Sequence, residues 1–215
     1  MVRLNAHERN YHVFYQLLKG ADRTMKQDFM LDGLDIEDFA YTRDGHDTIA
    51  GVSDVEEWNL LIEAFAVMGF SDKEQVSILR TIAAVLHLGN ITVVKESRAA
   101  DQARLASDAR SHADKTCRLL GIPVEPFLQA LLHPRVKAGR EWVEKVQTPE
   151  QVRFAIDALA KGIYERGFGD LVSRINRQLD RTGMGLDDSR FIGVLDIAGF
   201  EIFEENSFEQ LCINY

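Results

Sequence analysis

The sequence predicts an α/β fold that is mostly α-helical, with one strand of a parallel sheet near its C-terminal end. Three observations predict it. Apolar residues recur at helical spacing through several long windows, each opened by a capping residue. Phe191-Ile192-Gly193-Val194-Leu195 is a short continuous apolar run of the kind found in strands buried on both faces. The 215 residues, 46% of them hydrophobic, are enough to bury a sizeable core within about one domain.

Residues 5–19 place Tyr11, Phe14, Tyr15, Leu17 and Leu18 at helical spacing, and Gly20 follows as a stop. Between Asp32 and Asp54, the glycines at 33, 45 and 51 with Asp35 and Asp44 predict turns and a small hairpin. Ser53 with Glu56 forms a capping pair for a helix carrying Trp58, Leu61, Ile62, Phe65 and Met68, which ends at Gly69. Ser71 with Glu74 repeats the device for a helix running through Ile78, Ile82, Val85 and Leu86 to Gly89.

After the β-branched run Ile91 to Val94, residues 95–115 read as a solvated loop leading into a helix that ends at Leu119-Leu120-Gly121. A short helix from Pro123 to Leu132 follows. His133 to Trp142, with a proline, a central glycine and flanking alternation, predicts a projecting hairpin. Thr148-Pro149-Glu150-Gln151 supplies an N-cap, a proline at the first helical position and a closing glutamine. The helix it opens keeps its apolar spacing to about Arg181. The strand at 191–195 needs sheet neighbours that this chain barely offers, so the other members of its sheet are expected outside the 215 residues. Asn206 with Glu209 caps a last helix running to Tyr215.

No apolar stretch approaches the roughly 20 residues of a membrane span. The charged N-terminal segment does not read as a signal peptide, so a cytoplasmic protein is expected. Cys117 and Cys212 sit in helical patterns, as free thiols. His7, Glu8 and His12 do not make a zinc-protease helix, because histidines five apart sit about 140° round the axis from each other. A formal net charge of -9 argues against nonspecific binding to nucleic acid or acidic membrane, so any acidic partner must be met by a local basic patch.

Asp196-Ile197-Ala198-Gly199-Phe200-Glu201 stands at the carboxyl end of the expected strand, where α/β sheets place their ligands. An Asp there can reach a Mg²⁺-bound water, and a Gly three residues on lets backbone approach a terminal phosphate. Taken alone, Asp-x-x-Gly fits an ordinary strand-to-turn junction better than a phosphate site. The longer run Leu195 to Phe203, followed by Asn206 to Tyr215, resembles switch II and the start of the relay helix of myosins. Glu8 to Leu17 resembles the helix after switch I, Ala84 to Ile91 the upper actin-binding subdomain, and Arg135 to Trp142 the actin-touching cardiomyopathy loop.

The resemblance covers essentially the whole chain in the family's order, with a pattern nearest to conventional class II myosins. It implies a P-loop NTPase-type motor fold. Residues 1–190 would be the mainly helical upper actin-binding subdomain, 191–203 the core strand and switch II, and 204–215 the start of the relay helix. Asp196 would sit near Mg²⁺, Gly199 would donate its amide to the γ-phosphate of ATP, and Glu201 would pair with a switch I arginine. Ile197, Ala198 and Phe200 would complete the nucleotide-facing turn, and Phe200 would pass its movement toward the lever. Arg135, Val136, Lys137, Ala138, Gly139 and Arg140 would touch actin filaments. Other implied partners are the remainder of the heavy chain and, through regions outside these residues, light chains, with a place on the actin cytoskeleton.

One feature of the family pattern is missing: the 215 residues contain no Gly-x-x-x-x-Gly-Lys-[Ser/Thr] and no Gly-Lys dipeptide. The phosphate cradle is therefore expected elsewhere, together with switch I, and this chain reads as a fragment of the motor that is inactive alone. The alternative is a noncatalytic actin-binding or scaffolding module made from a myosin-like segment.

Overall fold

The computed structural model describes residues 8–97, 100–180, 193–195, 199–200 and 206–215. They fall into two compact units, residues 1–178 and 179–215, and each is described by itself. The first holds the helices α1 (His12–Gly20), α2 (Arg23–Asp28), α3 (Asp54–Val67), α4 (Asp72–Gly89), α5 (Ala109–Leu120), α6 (Val124–Leu132) and nearly all of α7 (Pro149–Leu179). It also holds two antiparallel hairpins, β1 (Val93–Ser97) with β2 (Ala100–Leu105) and β3 (Arg135–Ala138) with β4 (Glu141–Glu144). The second unit holds α8 (Phe208–Asn214).

One apolar core joins the helices of the first unit. Phe14, Leu17, Phe29, Phe39, Leu86 and Ile156 are fully buried in it. Each such side chain contributes roughly 1.5–3 kcal/mol by leaving water. The α4 helix packs on α5, and α1 on α3 and α4. Gly20 lets α3 come close, because a Cβ at that position would lie 2.3 Å from the Trp58 side chain.

The first helix starts later than its apolar spacing predicts. Residues 8–11 are irregular because Asn10 is used otherwise: its side chain donates to Tyr41 O, and its amide donates to the Tyr15 hydroxyl at 3.2 Å. In α3, Ser53 Oγ accepts from Glu56 N at 3.4 Å, one half of the expected pair. At α4, Ser71 donates through both its amide (2.9 Å) and its hydroxyl (2.6 Å) to the Glu74 carboxylate. Those bonds hold the Glu74 carboxyl below its ordinary pKa. Between Asp32 and Asp54 the structure has turns, a 3₁₀ segment at Ile36–Asp38 and a single bridge between Ile49 and Val52 in place of a hairpin.

Two expectations are corrected. Residues 100–105 are a strand and not solvated loop: β2 pairs with β1 in the register Val93 to Leu105 and Lys95 to Ala103, which buries Ala103. The ladder supplies the stabilisation that the sparse apolar content of 100–105 does not. The second correction concerns the apolar run at 191–195. Phe191 and Ile192 lie outside the described residues, whereas Gly193, Val194 and Leu195 are described and form no strand. Val194 is 95% and Leu195 84% exposed, and both sheets among the described residues are antiparallel. A strand buried on both faces exists only where ladder partners flank it, and the described residues offer none.

The remaining elements follow the sequence closely. Gly121 ends α5 in the left-handed region at φ 68. The α7 helix runs 31 residues from Pro149. At its start Thr148 N donates to Gln151 Oε1 at 3.1 Å and Gln151 N to Thr148 Oγ1 at 3.3 Å, a complete reciprocal cap. The last helix begins one residue beyond the Asn206 and Glu209 pattern, since Ser207, through its amide at 2.8 Å and its hydroxyl, bonds Gln210 Oε1.

Candidate functional site

The hairpin β3–β4 is the most exposed regular element of the first unit; every residue of both strands is solvent-exposed. Its two-residue loop is Gly139-Arg140, with Gly139 at φ 64, a conformation that glycine adopts without the Cβ penalty of other residues. That loop fixes the register: Arg135 pairs with Glu144, Val136 with Val143, Lys137 with Trp142 and Ala138 with Glu141. Because side chains alternate across a ladder, Arg135, Lys137, Trp142 and Glu144 share one face. Val136, Ala138, Glu141 and Val143 share the other. Arg140 sits in the loop between them.

The face is cationic and aromatic at once. Trp142 is 58% exposed, and its carbonyl accepts a long 3.5 Å bond from the Arg135 guanidinium. Among the described residues, Arg135, Lys137 and Arg140 form no ion pair; the hairpin's own pair is His133 Nδ1 with Glu144 Oε1 at 2.7 Å, at its base. All six hairpin residues expected from the sequence, 135–140, are therefore brought together on one projecting element. Trp142, which lies in the same hairpin, joins the cationic face through the register that a two-residue loop imposes.

The other expected site is not assembled within the described residues. Asp196, Ile197, Ala198 and Glu201 lie outside them. Gly199 and Phe200 are irregular and exposed, Phe200 at 75%. A Cβ built on Gly199 would meet nothing within 4 Å. Its backbone is open on that side, as close approach by a phosphate would need. Among the described residues no three His, Cys, Asp or Glu side chains gather where they could hold a metal ion, and no helix is long and apolar enough to cross a membrane.

A polar cluster also lies in the core of the first unit. His87 is fully buried; its Nε2 lies 3.2 Å from Phe29 O, and its Nδ1 lies 3.4 Å from His112 Nδ1. The carbonyl can only accept, so Nε2 carries the proton and Nδ1 accepts from His112. Burial pushes the His87 pKa down to about 4, and burial with nearby Lys115 lowers that of His112.

Comparison with known proteins places these features. A family model described as "Myosin head (motor domain)" matches residues 1–215. "Myosin type-2 heavy chain 1" of Schizosaccharomyces pombe is 48% identical over 216 residues, which cover all of this chain and 14% of that relative. The chain thus spans about one seventh of the curated relative that it matches.

Proposed function

Because this chain belongs to the myosin head (motor domain) family, we propose that it is the upper actin-binding part and switch II segment of an ATP-driven actin motor of class II type. One observation carries the actin side of this reading. In a chain whose formal net charge is -9, a hairpin with every strand residue exposed carries Arg135 and Lys137 on one face beside Trp142, with Arg140 at its tip. Cations without ion-pair partners among the described residues, next to an exposed aromatic ring, suit an acidic protein surface.

The nucleotide side rests on the family and on residues 195–203. ATP with Mg²⁺ supplies the phosphoryl chemistry in such a head. Asp196 would approach the metal through a bound water, and Gly199 would donate its amide to the γ-phosphate, its open Cβ side being compatible with that. Glu201 would hold the closed state by pairing with an arginine from another part of the head, while Ile197, Ala198 and Phe200 shape the turn. Residues 191–195 would form a strand once parallel neighbours from the rest of the head flank them. Val194 and Leu195, exposed in this chain, have the apolar character of such a strand. The same reading makes the protein cytoplasmic, on the actin cytoskeleton, with light chains bound elsewhere on the heavy chain.

The test is actin cosedimentation of a complete head carrying Arg135→Glu with Lys137→Glu, across a salt series. Exposed charge pairs are worth about 0.2–1 kcal/mol each, so affinity at low salt should fall roughly threefold to tenfold. The salt dependence should become shallower, because fewer exposed contacts remain to be screened. Basal ATP turnover should stay near that of the parent. Unchanged affinity at low salt would reduce Arg135 and Lys137 to a solvated face.

A further inference from the structure

Both roots of the exposed hairpin are held by one side chain from the other sheet. Gln102 lies on β2. Its Nε2 donates to Leu132 O at 2.9 Å and to Ala103 O at 3.0 Å, and its Oε1 accepts from Gln147 N at 3.3 Å. Beside it, Ala103 N donates to Gln147 O at 2.7 Å. Leu132 is the last residue of α6, where helix carbonyls lack partners within the helix. Gln147 lies just ahead of the α7 cap. One planar amide therefore ties the incoming and outgoing ends of the hairpin to the β1–β2 ladder.

At the incoming root His133 N also donates to Gln129 O at 2.9 Å, and beyond the roots the hairpin's hydrogen bonds are to itself. Lys145 N donates to Pro134 O at 2.8 Å, His133 pairs with Glu144, and the rest is the ladder. These bonds keep the hairpin a hairpin but do not set its direction. Direction is set where it meets the helical unit, and there Gln102 uses its donor and its acceptor together. A carboxamide offers both on one rigid plane, and asparagine is one methylene shorter.

We infer that Gln102 is the positioning residue of the β3–β4 hairpin, fixing the angle at which Arg135, Lys137 and Trp142 meet an acidic protein filament. This rests on the reading of the hairpin as the actin-touching element. A loosened root leaves the same charges on a hairpin that must be ordered during binding, and ordering lowers affinity.

The experiment uses a complete head with Gln102→Leu, which removes donor and acceptor at similar size. A second variant, Gln102→Glu, keeps an acceptor for Gln147 N but turns an oxygen toward Leu132 O. Amide hydrogen exchange should quicken within 133–147 and stay unchanged in α4 and in α7 beyond its first turn. Actin affinity should fall roughly threefold to tenfold with the salt slope of the parent, because every charge remains. Unchanged exchange in the hairpin, or exchange accelerated throughout α4 and α7, would overturn the inference. So would unchanged actin affinity in both glutamine variants when Arg135→Glu with Lys137→Glu weakens it. If the charge reversal itself leaves actin binding intact, the reading of the hairpin fails, and the exchange data alone decide the positioning role.

Discussion

The Tyr41 hydroxyl donates a 3.0 Å hydrogen bond to Asp157 Oδ1 across 116 residues of sequence, joining the turn-rich segment after α2 to the long helix α7. Asp157 also pairs with Arg153 at 3.0 Å, and Arg153 donates to Gly89 O at 2.8 Å. Three distant parts of the chain are linked by one polar chain beside the ring of a buried tyrosine. Burial, followed by the neighbouring Asp157 charge, raises the Tyr41 pKa well above its ordinary value, so the phenol stays protonated and a donor.

That ring makes Gly89 a packing requirement. A Cβ there would lie 2.6 Å from the Tyr41 ring, which is 1% exposed and has no room to retreat. Gly89→Ala should therefore destabilise a complete head by about 1–3 kcal/mol, the usual effect of overpacking a core. Thermal unfolding measures it, and a melting temperature equal to the parent's would refute the requirement. Tyr41→Phe, which removes one hydrogen bond and keeps the ring, should cost about 1 kcal/mol.

The buried His87 predicts an acid-sensitive core. Its folded pKa of about 4 lies below the unfolded value of about 6.5, so the unfolded chain binds the proton more readily. The resulting stability is complete above about pH 6.5 and is lost as pH falls toward 4, up to roughly 3 kcal/mol. His112 and Lys115 face the same ring and add to the penalty for charging it. His87→Gln retains a donor for Phe29 O without the titration. Denaturant unfolding at pH 7 and pH 5 should show a smaller loss in the variant, and an equal loss in both proteins would assign the acid sensitivity elsewhere.

Local chemistry made most of this fold legible in the sequence. The reciprocal bonds of Thr148 with Gln151, the Ser71 and Glu74 pair, and the loop glycine Gly139 each act within four residues, so the sequence displays cause and effect side by side. What could not be read depends on distant partners. Ala-Asp-Gln-Ala-Arg-Leu at 100–105 has no strand signature and is a strand because β1 lies beside it. Residues 8–11 leave the helical pattern because Asn10 is bonded to Tyr41, 31 residues away. The run at 191–195 is the reverse case, a strand-like sequence whose described residues 193–195 have no ladder. At the candidate site, the charges were legible from composition, whereas the sharing of one face by Arg135, Lys137 and Trp142 depends on the register.

The 215 residues alone should show no ATP turnover above background. Phosphoryl transfer in such a head depends on positioning and charge stabilisation of the phosphates, and no Walker-type loop occurs in this sequence. Exposure of Val194, Leu195 and Phe200, at 95%, 84% and 75%, further predicts that the isolated chain associates at micromolar concentration. Steady-state ATPase with and without actin, alongside light scattering, checks both. Mg²⁺-dependent, actin-stimulated turnover by the purified chain would refute the first, and a monodisperse monomer the second.

Gly199→Ala offers the sharpest test of the nucleotide role. The added Cβ would meet nothing within 4 Å in this chain, and Gly199 does not occupy the positive-φ region where alanine is strained. The substitution introduces no clash within this chain, so an effect in a complete head of unchanged stability must come from what the backbone approaches in the loaded state. If that is the γ-phosphate, the methyl group disturbs the geometry needed for transfer more than it disturbs capture of the nucleotide. Alanine keeps the amide N–H, so displacing that donor should lower the step by at most the roughly 10²–10³-fold that outright loss of one well-placed donor brings. If Glu201 pairs with an arginine from another part of the head, Glu201→Ala should act in the same direction by removing that pair. Quenched-flow measurement of the phosphate burst separates hydrolysis from ATP binding followed by nucleotide fluorescence. A normal burst amplitude and rate in both variants would remove Gly199 and Glu201 from the chemistry, whatever their effect on affinity.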